Sequence, residues 1–181
     1  DPDEMIIDNT ADDFDTTTGA DPVVLSTTTP PSHITWATID AQLATTNVTV
    51  QTSTDDITVA ASSAGVLGTL AVGGKTLLLD SAAAININAA VTSSVATNFA
   101  FTAPSGINLG ANVQSAGGAI AFNSPVIVTG AASTRTVSAG AGNVTFSSTV
   151  NDDGGGNSLA VNSTGATLFS AAVGGTTPLT S

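Results

Sequence analysis

The chain has no cysteine, a single histidine (His33) and only two basic residues, Lys75 and Arg135, and each shortage closes off a class of function. Without cysteine there is no disulfide framework, no thiolate metal site and no cysteine nucleophile. Two cations against fourteen acidic residues leave a net charge of −12, so the basic contacts that hold nucleic-acid phosphates or anionic lipid are missing. No apolar run approaches the roughly 18–20 residues that span a bilayer. Nor does a positively charged segment with an apolar core open the sequence as a secretion signal would. Nucleic-acid binding and membrane insertion are therefore excluded as expectations. Charge of either sign is scarce, at 9% of residues against about a quarter in ordinary domains. Hydrophobic residues make up 41%, enough side chain to offset the ordering entropy, so the chain is expected to fold as one domain.

Three segments are expected. Residues 1–31 form an acidic head, with eight acids (Asp1, Asp3, Glu4, Asp8, Asp12, Asp13, Asp15, Asp21) before position 22, closed by a Ser/Thr/Pro loop around Pro30 and Pro31. The apolar run Met5-Ile6-Ile7 in this head is a candidate strand for adding to a neighbouring subunit's sheet edge. Residues 32–46 hold the one helical window, Thr35–Ala44, where Trp36, Ile39 and Leu43 recur at i, i+3 and i+7 and Thr35 or Thr38 is the N-cap. Such a helix suits the capped end of a solenoid.

From residue 47 to 181 the dominant signal is repetition. The unit is apolar-x-apolar, three residues, then Val: Ile85, Ile87, Val91; Ile107, Leu109, Val113; Ile120, Phe122, Val126; Val144, Phe146, Val150; and, more weakly, Thr167, Phe169, Val173. A second alternating pair precedes most copies, as Leu77 and Leu79, Phe99 and Phe101, or Leu159 and Val161. Copies recur about every 22–24 residues with one shorter interval, and Gly-rich turns separate the runs. Period-2 runs joined by turns at this spacing predict an all-β, right-handed parallel β-helix (β-solenoid) with the short helix as its N-terminal cap. Ile87, Leu109, Phe122, Phe146 and Phe169 are expected to stack inside it as one column. The pattern starts another coil at Pro178-Leu179, so the solenoid is expected to continue, or to be covered by a partner, beyond residue 181.

Several stretches resemble the repeat regions of filamentous-haemagglutinin-like adhesins and related large autotransporter-type surface proteins. They are residues 32–43 followed by Asn47-Val48-Thr49-Val50, then Gly142-Asn143-Val144-Thr145-Phe146, then Val173 to Leu179. The resemblance spans about residues 32–181. It implies a right-handed β-helix exported to the bacterial cell surface, with no catalytic residues to carry over. The Asn-Pro motifs of a two-partner secretion domain are missing.

The residues themselves assign no catalytic, cofactor-binding or metal site. His33 lies before the helix, where a cap or surface role outweighs a Ser/His/Asp triad. Asp55-Asp56 and Asp152-Asp153 are carboxylate pairs, but adjacent strand residues point to opposite faces, and both pairs read as solvated turn charges. Calcium is the one cofactor left open, at Asp8 to Asp15 in the head, where oxygen ligands are closely spaced without an EF-hand register. The N-glycosylation triplets at Asn47, Asn143 and Asn162 read as chance in a chain this rich in Asn, Ser and Thr, and the scattered Thr-x-Thr pairs do not align as an ice-binding face would require. The expectation is a non-enzymatic extracellular structural or adhesive segment, a rigid stalk or filament-forming subunit, self-associating head to tail or continuing within a larger surface protein. A surface glycan or host-cell ligand is a further partner. The alternative is a carbohydrate-binding or polysaccharide-cleaving β-helix module, which would need exposed aromatics.

Overall fold

The structure, a computed structural model, describes residues 4–14, 16–26, 31–61 and 64–180. Among these residues, twenty short strands and one helix wind into a β-solenoid with three walls. Wall A holds β1 (Met5–Asp8), β4 (Ser32–Thr35), β6 (Ile57–Val59), β9 (Ile85–Ile87), β12 (Ile107–Leu109), β15 (Val126–Val128) and β18 (Val150–Asp152). Wall B holds β2 (Thr16–Thr18), β3 (Val23–Ser26), β5 (Val48–Gln51), β8 (Thr76–Asp80), β11 (Asn98–Thr102), β14 (Ile120–Phe122), β17 (Val144–Phe146) and β20 (Thr167–Phe169). Wall C holds β7 (Gly65–Leu67), β10 (Val91–Ser93), β13 (Val113–Ser115), β16 (Thr134–Gly140) and β19 (Ser158–Ser163). Among the described residues every strand pairing is parallel except that of β2 with β3.

The strands are short because each coil must turn three corners, and period-2 alternation puts one face of each strand inside. The inward positions are apolar and almost fully enclosed: Leu77, Leu79, Phe99, Phe101, Ile120, Phe122, Val144 and Phe146 are at most 1% exposed. Gly106, Gly117, Gly140, Gly154, Gly156 and Gly174 take positive φ at the expected turns.

The expected column is half right. Phe122, Phe146 and Phe169 do stack, on wall B, but the residues below them are Phe101, Leu79 and Val50. Ile87 and Leu109 belong to wall A, in register with Val59 and Val128. The repeat unit crosses from wall A to wall C at Ile85 and Ile107 but from wall B to wall A at Ile120 and Val144. Corners of equal length make the walls indistinguishable by spacing. The short interval at Ile120 is therefore a change of wall; the true layer partners Val48, Leu77, Phe99, Ile120, Val144 and Thr167 are 29, 22, 21, 24 and 23 residues apart.

The N-terminal end is built differently. The helix α1 (Trp36–Leu43) stands in wall C beneath β7, with Thr35 as N-cap accepting from the Thr38 N–H. Trp36, Ile39 and Leu43 are buried as their spacing predicts. A helix is about 10 Å across and strands lie about 4.8 Å apart, so α1 fills the height of two layers. The other walls each supply two strands to match: β1 and β4 in wall A, β3 and the antiparallel β2 in wall B. The run Met5-Ile6-Ile7 is thus no free strand for a neighbouring subunit. β1 is wedged between β4 and β6, paired on both edges, with Met5 and Ile7 fully buried. Nor are residues 4–26 a head apart from the body, since β3 pairs with β5, and Ser32–Thr35, just before the helix, is a strand. Thr27 to Pro30 of the expected Ser/Thr/Pro loop lie outside the described residues.

At the other end the last layer is uncovered: Leu168, Phe169 and Val173 are 54%, 38% and 46% exposed. Phe146 is enclosed between Phe122 and Phe169, with ring centroids at 4.9 and 4.8 Å. Phe146→Ala is expected to cost about 3–5 kcal/mol, since rungs on both sides keep the cavity from closing. Phe169→Ala should cost clearly less, having a solvent-facing side. Denaturant unfolding of both variants checks the order.

Candidate functional surfaces

The acidic head closes a sheet edge. The outer edge of β4 leaves backbone groups unpaired, and residues 12–13 fill them. The Asp12 carboxylate accepts from the Thr35 N–H at 2.7 Å and the Thr38 hydroxyl at 2.5 Å, Asp13 accepts from the His33 N–H, and the Asp13 N–H donates to the His33 carbonyl at 3.0 Å. Two carboxylates thus take the place of a neighbouring strand. Asp8, at the end of β1, accepts from the Thr10 N–H (2.9 Å) and hydroxyl (2.5 Å), and its Oδ2 lies 2.9 Å from His33 Nδ1. Burial opposes ionisation of Asp8, but the Thr10 and His33 hydrogen bonds outweigh it and hold its carboxyl below the ordinary value of 3.8. His33, a candidate only for a weak triad reading, is thus a tie between β4 and the head. The carboxylates named for calcium are engaged by backbone, hydroxyl and imidazole groups; Asp15, the last of that run, lies outside the described residues. Among the described residues no group of three or more His, Asp or Glu converges as a metal set.

Beside the helix lies a cleft of about 410 Å³, lined by Asn9, Trp36, Ala37, Asp40, Val66 and Leu70 among others. Val66, on β7, and Leu70, in the loop after it, are 64% and 57% exposed, the most exposed large apolar side chains among the described residues. Its floor explains Gly65: a Cβ there would sit 2.4 Å from the Trp36 indole. Asp40, which sequence reasoning passed over, is 4% exposed and accepts from the N–H groups of Gly68 (2.7 Å), Leu70 (2.7 Å) and Ala71 (3.2 Å). Only its position on the buried stripe of α1, next to Ile39, could have signalled it. One carboxylate thereby pins the loop over the helix.

Asparagine recurs at the corner leading into wall B. Asn47, Asn98 and Asn143 each accept, through Oδ1, an N–H of the next coil: from Thr76 (2.9 Å), Ala119 (2.9 Å) and Ala166 (2.8 Å). Asp21 does the same one layer down, toward Asn47 at 3.0 Å, and this backbone bond lowers its carboxyl pKa. Two of the three glycosylation triplets are therefore corner asparagines. The paired carboxylates divide similarly. Asp56 accepts from the Ala84 N–H (2.8 Å) and from Asn86 Nδ2 (3.0 Å), in the next coil. Asp152 is 4% exposed rather than solvated, with its neighbour Asp153 at the surface. Comparison of the chain with protein-family models, with curated proteins and with solved structures returns no match.

Two outcomes follow from these contacts. Asp40→Ala leaves three N–H groups without their acceptor and is expected to cost about 1.5–3 kcal/mol, read from thermal or denaturant unfolding. Asp8, Asp21 and Asp152 all have carboxyls held below 3.8 in the folded chain. Their contribution is complete above that value and is lost as pH falls through the lower folded-state values. The melting temperature should hold steady down to pH about 4 and drop below it, and Asp8→Asn should flatten the drop.

Proposed function

We propose that the chain is a non-enzymatic structural or adhesive segment of an extracellular, cell-surface protein, a stiff spacer whose work is done by its shape. The observation that carries this reading is the continuous wall-B column from Val50 through Leu79, Phe101, Phe122 and Phe146 to Phe169. Its four phenyl rings stack at 5.1, 4.9 and 4.8 Å, so bending the rod between any of these four layers would part a ring contact as well as backbone hydrogen bonds. The outward positions of the walls are mostly small or amide side chains, such as Ala100, Ala121 and Thr145 on wall B and Asn86, Asn108 and Asn151 on wall A. Asn108 donates to Asn86 at 2.7 Å, continuing the layering on the outside. The exposed Leu168, Phe169 and Val173 suit stacking against a partner's β-layer, whereas the edge of β4, guarded by Asp12 and Asp13, is closed to strand addition. The coil units that resemble adhesin repeats support the surface location.

Polysaccharide processing along the walls would call for exposed rings, whereas Trp36, Phe99, Phe101, Phe122 and Phe146 are all at most 3% exposed. Immunogold labelling of intact source cells is expected to mark the surface, and incubation with acidic and neutral polysaccharides to release no reducing ends. Label confined to the cell interior, or reducing ends released by the purified chain, overturns the reading.

A further inference from the structure

The outermost strand of wall B, β20, pairs on one edge with β17 and on the other with no strand among the described residues. The Val144 N–H donates to the Ala166 carbonyl and the Ser170 N–H to the Phe146 carbonyl, both at 2.9 Å. In a ladder, alternate residues turn their backbone groups to the same side. Ala166, Leu168 and Ser170 therefore face β17, and the N–H and carbonyl groups of Thr167 and Phe169 face away from it. On the same layer the side chains of Leu168, Phe169 and Val173 stand open to solvent.

Sheet edges of this kind are ordinarily blunted by a charged side chain, a proline, a bulge or a covering segment. The opposite end of the rod follows that rule. There Asp12 and Asp13 occupy the outer edge of β4, and wall C begins with α1. β20, Thr167-Leu168-Phe169, carries none of these devices. Charge is distributed to match: every acidic and basic side chain lies at or before residue 153, and residues 154–181 carry none. The last two acids, Asp152 and Asp153, sit in the coil below, where the Asp152 N–H donates to the Thr177 carbonyl of the coil above at 3.0 Å. Two chains of net charge −12 repel each other. At their β20 ends they can meet through neutral surface.

We propose that β20 pairs with β20 of a second copy of this chain, joining two solenoids end to end in a two-fold dimer. Strands that meet across a two-fold axis at the ends of two rods run antiparallel, and the free groups of β20 are self-complementary about Leu168. Thr167 of each copy lies opposite Phe169 of the other, and each such pair exchanges both of its backbone hydrogen bonds. Leu168 then faces its own counterpart as a non-hydrogen-bonded pair, with Cα atoms about 4.5 Å apart. The open face of each Phe169 ring is covered by the other copy's Thr167, which continues the wall-B column across the junction. Association stops at two, because the guarded edge of β4 and the helix give a third copy no matching layer. The dimer does not depend on where the rod works.

Analytical sedimentation of the full chain over a dilution series tests this. A species of twice the monomer mass is expected to grow with concentration, with nothing larger. Leu168→Lys sets two like charges against each other at the axis and should weaken the dimer at least tenfold. Since Leu168 already faces solvent, this variant should melt as the parent does at dilutions where the parent is monomeric. Leu168→Cys reads the geometry directly and keeps the test open if Leu168→Lys fails to fold. The separation at the axis lies within the roughly 4.4–6.8 Å between Cα atoms that a disulfide spans, and the chain has no cysteine of its own. Mild oxidation should link Leu168→Cys into a covalent dimer at least tenfold faster than Val66→Cys, a comparably exposed position on β7. A chain that stays monomeric at every concentration, a ladder of higher masses, or equal linking by the two cysteine variants overturns the proposal. Each of these outcomes leaves the structural reading of the rod untouched.

Discussion

Everything in this protein depends on the backbone ladder that joins each coil to the next in register. A parallel ladder fixes neighbouring strands about 4.8 Å apart, so each residue has as its main neighbour the equivalent residue one coil away. Whatever stands at an inward position must then tolerate its counterparts above and below. Hydrocarbon meets that demand readily, and aromatic rings meet it by lying parallel, at 3° between Phe122 and Phe146 and 2° between Phe146 and Phe169.

The same constraint decides how polar groups are used. At the corners, where the chain leaves one wall for the next, N–H groups of successive coils would be stranded, and side chains of the coil beneath reach them: Asn47, Asn98, Asn143 and Asp56 each bond upward. Buried hydroxyls follow suit, as where Ser115 accepts from Gly118 and donates to the Thr97 carbonyl. Nine of the described acids (Asp8, Asp12, Asp13, Asp21, Asp40, Asp55, Asp56, Asp152 and Asp153) hold backbone N–H groups. The strong negative charge of the chain is to a large extent this inventory of backbone acceptors.

That use of charge marks the limit of what can be read before the fold is known. Strand identity was legible, because alternation at Leu77 and Leu79 or Phe99 and Phe101 has only one structural meaning at that length. The helix was legible from Trp36, Ile39 and Leu43. Wall membership was not: corners of equal length give Ile107 and Ile120 the same local pattern on different walls. Met5-Ile6-Ile7 looked free because its partners, Ile57 to Val59 and Ser32 to Thr35, lie far along the chain. The Asp152 turn looked like solvated charge for the same reason, since the oxygens it meets at Val128 and Gly130 belong to the previous coil.

The unequal ends give the rod a polarity in time as well as in space. A chain made from its N-terminus completes the helix and the flanking strands first, so from β7 onward each new coil arrives at an edge already formed beneath it. Growth of this kind resembles deposition on a seed crystal, in which each arriving layer finds its template in the edge already laid down beneath it.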